Sequence, residues 1–89
     1  MLEKQITIIN KLGLHARAAA KLINVTSSFS SDIKITKDER TVDGKSIMSV
    51  MMLAASKGTQ LTLTTSGEDE QQAMDAIELL INNRFDEEE

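Results

Sequence analysis

Apolar and polar positions alternate over residues 4 to 9, Lys-Gln-Ile-Thr-Ile-Ile, with Ile6 and Ile8 on one side and Gln5 and Thr7 on the other, the period of a half-buried strand. From Ala16 the period changes to that of a helix face. Apolar residues at 16, 19, 20 and 23 predict a helix from about Ala16 to Ser27 with those four turned inward, and three consecutive alanines let it approach a sheet closely. A serine-rich break around Phe29 ends it. Ile33 and Ile35 then alternate with Asp32, Lys34 and Thr36 as a second strand, Lys37-Asp38-Glu39 makes a turn, and Arg40 to Asp43 returns as a short third strand.

The next helical stretch, Ile47 to about Ser56, has two apolar arcs. Ile47, Val50, Leu53 and Ala54 form one, and Met48, Met51, Met52 and Ala55 the other, so one arc is expected to stay at the surface. Lys57-Gly58 is read as the helix stop. Leu61 and Leu63 among threonines predict a fourth strand, and Asp69 with Gln72 suggests a capping box opening a third helix that carries Ala73, Met74, Ala76, Ile77, Leu80 and Ile81. The tail Asp86-Glu87-Glu88-Glu89 reads as a solvated, frayed end. Strand, helix, strand, strand, helix, strand, helix predicts an α+β fold, an open sheet with helices on one face, although a ferredoxin-like split arrangement fits the order nearly as well.

Within this pattern the only histidine of the chain, His15, falls where the loop Asn10 to Gly13 becomes the first helix. Helix N-termini carry unpaired backbone N–H groups and roughly half a positive charge, so the amides of Ala16 and Arg17 and the Arg17 guanidinium define a candidate anion site. Histidine is a poor helix cap, so capping does not account for its place. An imidazole can carry a phosphoryl group covalently. The helix end and Arg17 both disfavour the imidazolium, which favours the neutral, nucleophilic ring.

Composition narrows the alternatives. One domain spanning residues 1–89, with two phenylalanines as its only aromatic residues, must fill its core with aliphatic side chains. The absence of cysteine excludes disulfides, thiolate metal ligands and a cysteine nucleophile, and one histidine makes a metal site improbable. No cofactor is expected. No membrane span or signal pattern is evident, so a cytoplasmic protein is expected.

Charge is unevenly divided. Residues 1 to 57 carry a net +4 and residues 58 to 89 a net −8. The half that contains His15 is therefore expected to meet acidic protein surfaces, through Ile47, Met48, Met51 and Met52 with Lys21 and Lys45, methionine being suited to adaptable contacts. So small a basic excess without stacking aromatics argues against nucleic acid. Ser46, just before an apolar helical run, is a natural N-cap.

Gly13-Leu14-His15-Ala16-Arg17, then Lys45-Ser46-Ile47-Met48, then Lys57-Gly58, closely resemble the histidine-containing phosphocarrier (HPr) family of bacterial phosphotransferase systems, in register along the whole chain. The resemblance implies a four-stranded antiparallel sheet of order 1-4-2-3 covered on one side by three helices. It implies that His15 accepts a phosphoryl group on Nδ1 from enzyme I, charged by phosphoenolpyruvate, and passes it to an enzyme IIA protein or domain, with Arg17 helping to hold it. Such a protein is a carrier rather than an enzyme, and is expected to be a monomer. Ser46 matches a serine that an ATP-dependent HPr kinase/phosphorylase modifies in some lineages. Most members have proline where this chain has Ala18, which gives up a preset φ but keeps high helix propensity. The Asn10-Lys11-Leu12-Gly13 run and the acidic tail look more like the nitrogen-related branch of these systems than the sugar-uptake branch. The alternative reading is a regulatory module that acts through Ser46 and protein contacts without carrying phosphate on His15.

Overall fold

The alternating strands pair as their apolar faces require. In a computed structural model describing residues 1–89, β1 (Leu2–Thr7), β2 (Asp32–Lys37), β3 (Arg40–Asp43) and β4 (Gln60–Ser66) form one antiparallel sheet of order β1-β4-β2-β3. Register places Ile6 opposite Leu61 and Ile35 opposite Leu63, so one face presents a continuous aliphatic layer. Glu3, Gln5 and Lys34 point to the other, open face. Helices α1 (Ala16–Thr26), α2 (Ile47–Met51) and α3 (Glu70–Asn82) cover the aliphatic layer, which settles the choice between the open-faced sandwich and the split arrangement.

The face that α1 buries is rotated from the predicted one. Ala18, Ala19, Leu22 and Thr26 are inside, whereas Ala16 and Ala20 are exposed and Ile23 is half-buried. This orientation buries the large Leu22. It can also bury Thr26, because Oγ1 donates to Gly44 O at 2.8 Å and so carries no unpaired group inward.

Two further expectations are corrected by the structure. Helix α2 stops at Met51 rather than near Ser56, and Ala54 has left-handed backbone (φ 52°). The chain leaves the helix so that Ala55 O can accept from Leu14 N at 2.8 Å, and Lys37 Nζ satisfies Leu53 O at 2.9 Å. At α3, Asp69 makes no side-chain cap. Its carboxylate instead accepts from Ser30 N at 2.9 Å, Ser31 N at 3.0 Å, Ser30 Oγ at 3.3 Å and Ser31 Oγ, tying the turn after α1 to the start of α3.

Those bonds, the Ser31 hydroxyl above all and the Ser30 amide next, lower the Asp69 pKa to about 2. A carboxylate whose folded pKa lies below the unfolded value contributes stability above the unfolded pKa and loses it as pH falls through the folded one. The melting temperature of the wild type should therefore exceed that of Asp69→Asn at pH 6, and the gap should shrink progressively between about pH 4 and pH 2. A gap independent of pH over that range would contradict the role of the ionised carboxylate.

The chain beyond α3 is the largest departure from expectation. Arg84, Phe85 and Asp86 all have φ between 54° and 64°, a left-handed turn that sends the last residues back toward the loop before α1. Each such non-glycine residue costs roughly 1–2 kcal/mol. Phe85, fully buried against α1 and α3, offsets much of that, since burying a large apolar side chain stabilises by roughly 2–3 kcal/mol. The acidic tail is held, not frayed.

Candidate functional site

Gly13 adopts φ +69°, and a Cβ there would lie 2.6 Å from Ala55 O and 2.8 Å from Ser56 Cα, so only glycine lets the loop pass this close to the segment after α2. Leu14 then plugs the core and donates its N–H to Ala55 O. The next residue, His15, is thereby placed at the N-cap of α1 with extended backbone (φ −76°, ψ 178°). Its side chain caps nothing, and the N–H groups of Ala16 and Arg17 have no intrahelical acceptor. The imidazole is about a quarter exposed, 26%.

Its two nitrogens differ. Nε2 is hydrogen-bonded to Glu87 Oε2 from the returning tail, whereas Nδ1 has no partner in the protein. The other oxygen of Glu87 accepts from Asn10 Nδ2 at 3.0 Å, and the same amide nitrogen donates to Gly13 O at 2.7 Å. Asn10 is fully buried and its Oδ1 is unpartnered, so its side chain is positioned by these two donations alone. The Asn10 hydrogen bond is the leading cause of a lowered Glu87 pKa, with smaller contributions from His15 and Arg17.

Arg17 is exposed and borders an open cleft of about 590 Å³ between Lys11, Arg17 and Lys21 on one side and Asp86, Glu87, Glu88 and Glu89 on the other. Lys21 Nζ donates to Phe85 O at 2.8 Å and lies 3.9 Å from Asp86. Lys11 Nζ pairs with Glu89 at 3.2 Å. Arg17 alone of these three cations makes no close ion pair. The Glu87 carboxylate on the Nε2 side of the ring is a partner that the sequence did not lead one to expect.

The remaining candidates lie as follows. Ser46 caps α2, its Oγ accepting from Ser49 N at 3.4 Å. Met48, Met51 and Met52 are exposed and Val50 and Leu53 buried, as two arcs require. Ile47 and Ala54 are instead exposed and Ala55 is buried, against the arcs they were assigned to, because the helix ends at Met51 and the chain turns away. Leu12, 69% exposed, is a further exposed apolar side chain that the sequence reading did not single out. Lys21 and Lys45 are not free surface cations, since Lys45 Nζ is held by Phe29 O at 2.7 Å just as Lys21 is held by Phe85 O. Ala18, the position where proline is usual, is buried in the core face of α1.

Asn10 and Glu87 were missed by the sequence reading. The available signal was Phe85, one of two phenylalanines in the chain, set among charges near the end, where a large apolar ring has reason to be buried and to anchor its neighbours.

The structure is thus an open-faced α+β sandwich that presents one imidazole at a helix N-terminus, with an arginine two residues on. A family model described as the PTS HPr component phosphorylation site matches residues 2–83. Phosphocarrier protein HPr of Cupriavidus necator is 59% identical over 87 residues, covering 98% of each chain. Phosphocarrier protein HPr of Pseudomonas aeruginosa is 60% identical over 84 residues, covering 93% of each. The crystal structure of HPr-C-His from Thermoanaerobacter tengcongensis superposes with a TM-score of 0.97 at 45% identity, covering 100% of both chains. The chain belongs to the HPr family of phosphotransferase-system phosphocarriers, which are carrier proteins and not enzymes.

Proposed function

We propose that His15 is the phosphoryl acceptor, taking the group on Nδ1 from phosphorylated enzyme I and passing it to an enzyme IIA protein or domain, with the protein acting as a monomer. The observation that carries this reading is the quarter-exposed imidazole at the N-cap of α1, whose Nδ1 is unpartnered and whose next two residues, Ala16 and Arg17, have free amides. The Nδ1 lone pair attacks phosphorus as the bond from phosphorus to the donor breaks. The amides and the Arg17 guanidinium then face the new negative charge. Their hold has to be moderate, because a carrier that stabilises its phosphorylated form too far cannot pass the group on. Incubation with phosphoenolpyruvate and cognate enzyme I should give an acid-labile, base-stable phosphoryl group that maps to His15. Absence of that modification would refute the reading.

The exposed patch of Ile47, Met48, Met51 and Met52 serves on this reading as the docking surface, with Lys21 and Lys45, each tied to a backbone carbonyl, contributing fixed positive charge to the partner-facing side. Ser46 adjoins the patch. A kinase/phosphorylase that phosphorylated it would place a charge of about −1.5 to −2 there, opposing acidic partners. No helix of the protein is long and apolar enough to cross a membrane.

Ser46→Asp keeps the N-cap, since aspartate caps as well as serine does, so melting temperature should be nearly unchanged. Transfer from enzyme I should slow by roughly threefold to tenfold, a lower bound on the effect of the doubly charged phosphate. Equal transfer rates for wild type and Ser46→Asp would remove the regulatory role.

A further inference from the structure

An ionised carboxylate has no proton to give, so any group hydrogen-bonded to it must be a donor. Glu87 faces two such groups, Asn10 Nδ2 on one oxygen and His15 Nε2 on the other. Nε2 therefore carries a proton, and in the neutral ring the lone pair must then reside on Nδ1. We infer that Glu87 is a positioning residue for phosphoryl transfer: it holds the Nε2 proton, presents Nδ1 as the nucleophile and denies Nε2 to the incoming group. The inference rests on the reading that His15 accepts the phosphoryl group.

Three features of the chain support it. The contact survives the reaction, because attachment at Nδ1 leaves the Nε2 hydrogen in place. A phosphoryl group on Nε2 would instead have to displace Glu87. The tail is also built to deliver this side chain, through the left-handed turn at Arg84–Asp86, the buried Phe85 ring, the Lys21 bond to Phe85 O, and Lys11 N donating to Glu89 O. Finally, Asn10 holds the carboxylate from behind and favours its ionised form, the only form that is acceptor on both oxygens.

Glu87→Ala and Glu87→Gln test this in the full chain. Glutamine has one acceptor oxygen for two facing donors, so it cannot serve Asn10 and Nε2 together. Two measurements suffice: ring-nitrogen NMR shifts of the neutral, unphosphorylated histidine, and steady-state transfer from phosphorylated cognate enzyme I. The wild type should show Nε2–H alone. Glu87→Ala should show a mixture with the Nδ1–H tautomer and a maximal transfer rate about tenfold lower, the equivalent of one weakened charge-assisted hydrogen bond. Glu87→Gln should fall between the two.

KM for enzyme I should not rise in either variant, since both remove a negative charge from a surface that meets acidic partners. Unchanged nitrogen shifts and maximal rate, with His15 still phosphorylated, would overturn the positioning role and leave the carrier reading intact. A raised KM at unchanged maximal rate would overturn it too, by assigning Glu87 to docking. Failure of the wild type to be phosphorylated at His15 would sink the carrier reading and, with it, this one.

Discussion

His15→Ala is expected to lose phosphoryl acceptance from enzyme I by more than roughly a thousandfold while unfolding within about 1 kcal/mol of the wild type. The two halves of this expectation have separate physical grounds. Activity depends on an imidazole nitrogen, and the chain has no second histidine to substitute for it. Stability does not, because the ring makes no capping bond, is partly exposed and touches the protein's polar groups only through Glu87 Oε2, which water can reach when the ring is gone. The backbone of residue 15 continues to accept from Ala19 N at 2.8 Å whatever side chain it carries. Labelling with phosphoenolpyruvate and enzyme I, alongside a thermal or denaturant melt, reads both. Residual label at the wild-type level would move the carrier site elsewhere in the chain, and a loss of several kcal/mol would show that His15 is part of the fold's support.

The elements were legible where one local rule decides the outcome. Alternation located β2 and β4, because each has one face in the core and one in water and a slip of one residue would reverse them, and the turn Lys37-Asp38-Glu39 located β3 as the return of a hairpin. The place of His15 at a helix start was legible for the same reason: a change of period from two to 3.6 marks the N-terminus, and the unpaired amides follow from geometry. Features decided by distant parts of the chain were not. The two apolar arcs of residues 47–56 continue past the true end of α2, which is imposed by the Gly13–Leu14 loop and by side chains from the β2–β3 hairpin that take its carbonyls. Asp69 satisfies a capping pattern locally, but four donors on Ser30 and Ser31 outcompete two helix amides. The acidic tail was misjudged most. Its charges suggest solvation, and only the anchoring of Phe85 under α1 and α3 gives those charges fixed cationic and imidazole partners.

Phe85→Ala accordingly has the largest expected effect on stability and a second effect on the site. Removing a fully buried phenylalanine costs roughly 3–5 kcal/mol through lost burial and the cavity left behind, against a total near 4–13 kcal/mol for a chain of this length. Melting temperature should drop by roughly 15 °C or more. With the ring gone, only the polar contacts of the tail remain against the cost of left-handed backbone at Arg84, Phe85 and Asp86, so the turn should relax and Lys21 should lose Phe85 O as an acceptor. Glu87 then leaves Nε2, and the ring-nitrogen shifts of the folded variant at low temperature should resemble those of Glu87→Ala. Amide exchange at Lys11, whose N–H is bonded to Glu89 O, should accelerate in parallel. The two readouts separate packing from positioning: a large fall in melting temperature with wild-type nitrogen shifts would show that Glu87 finds His15 without the anchor. A variant within about 1 kcal/mol of wild type would show that the tail is not docked in solution.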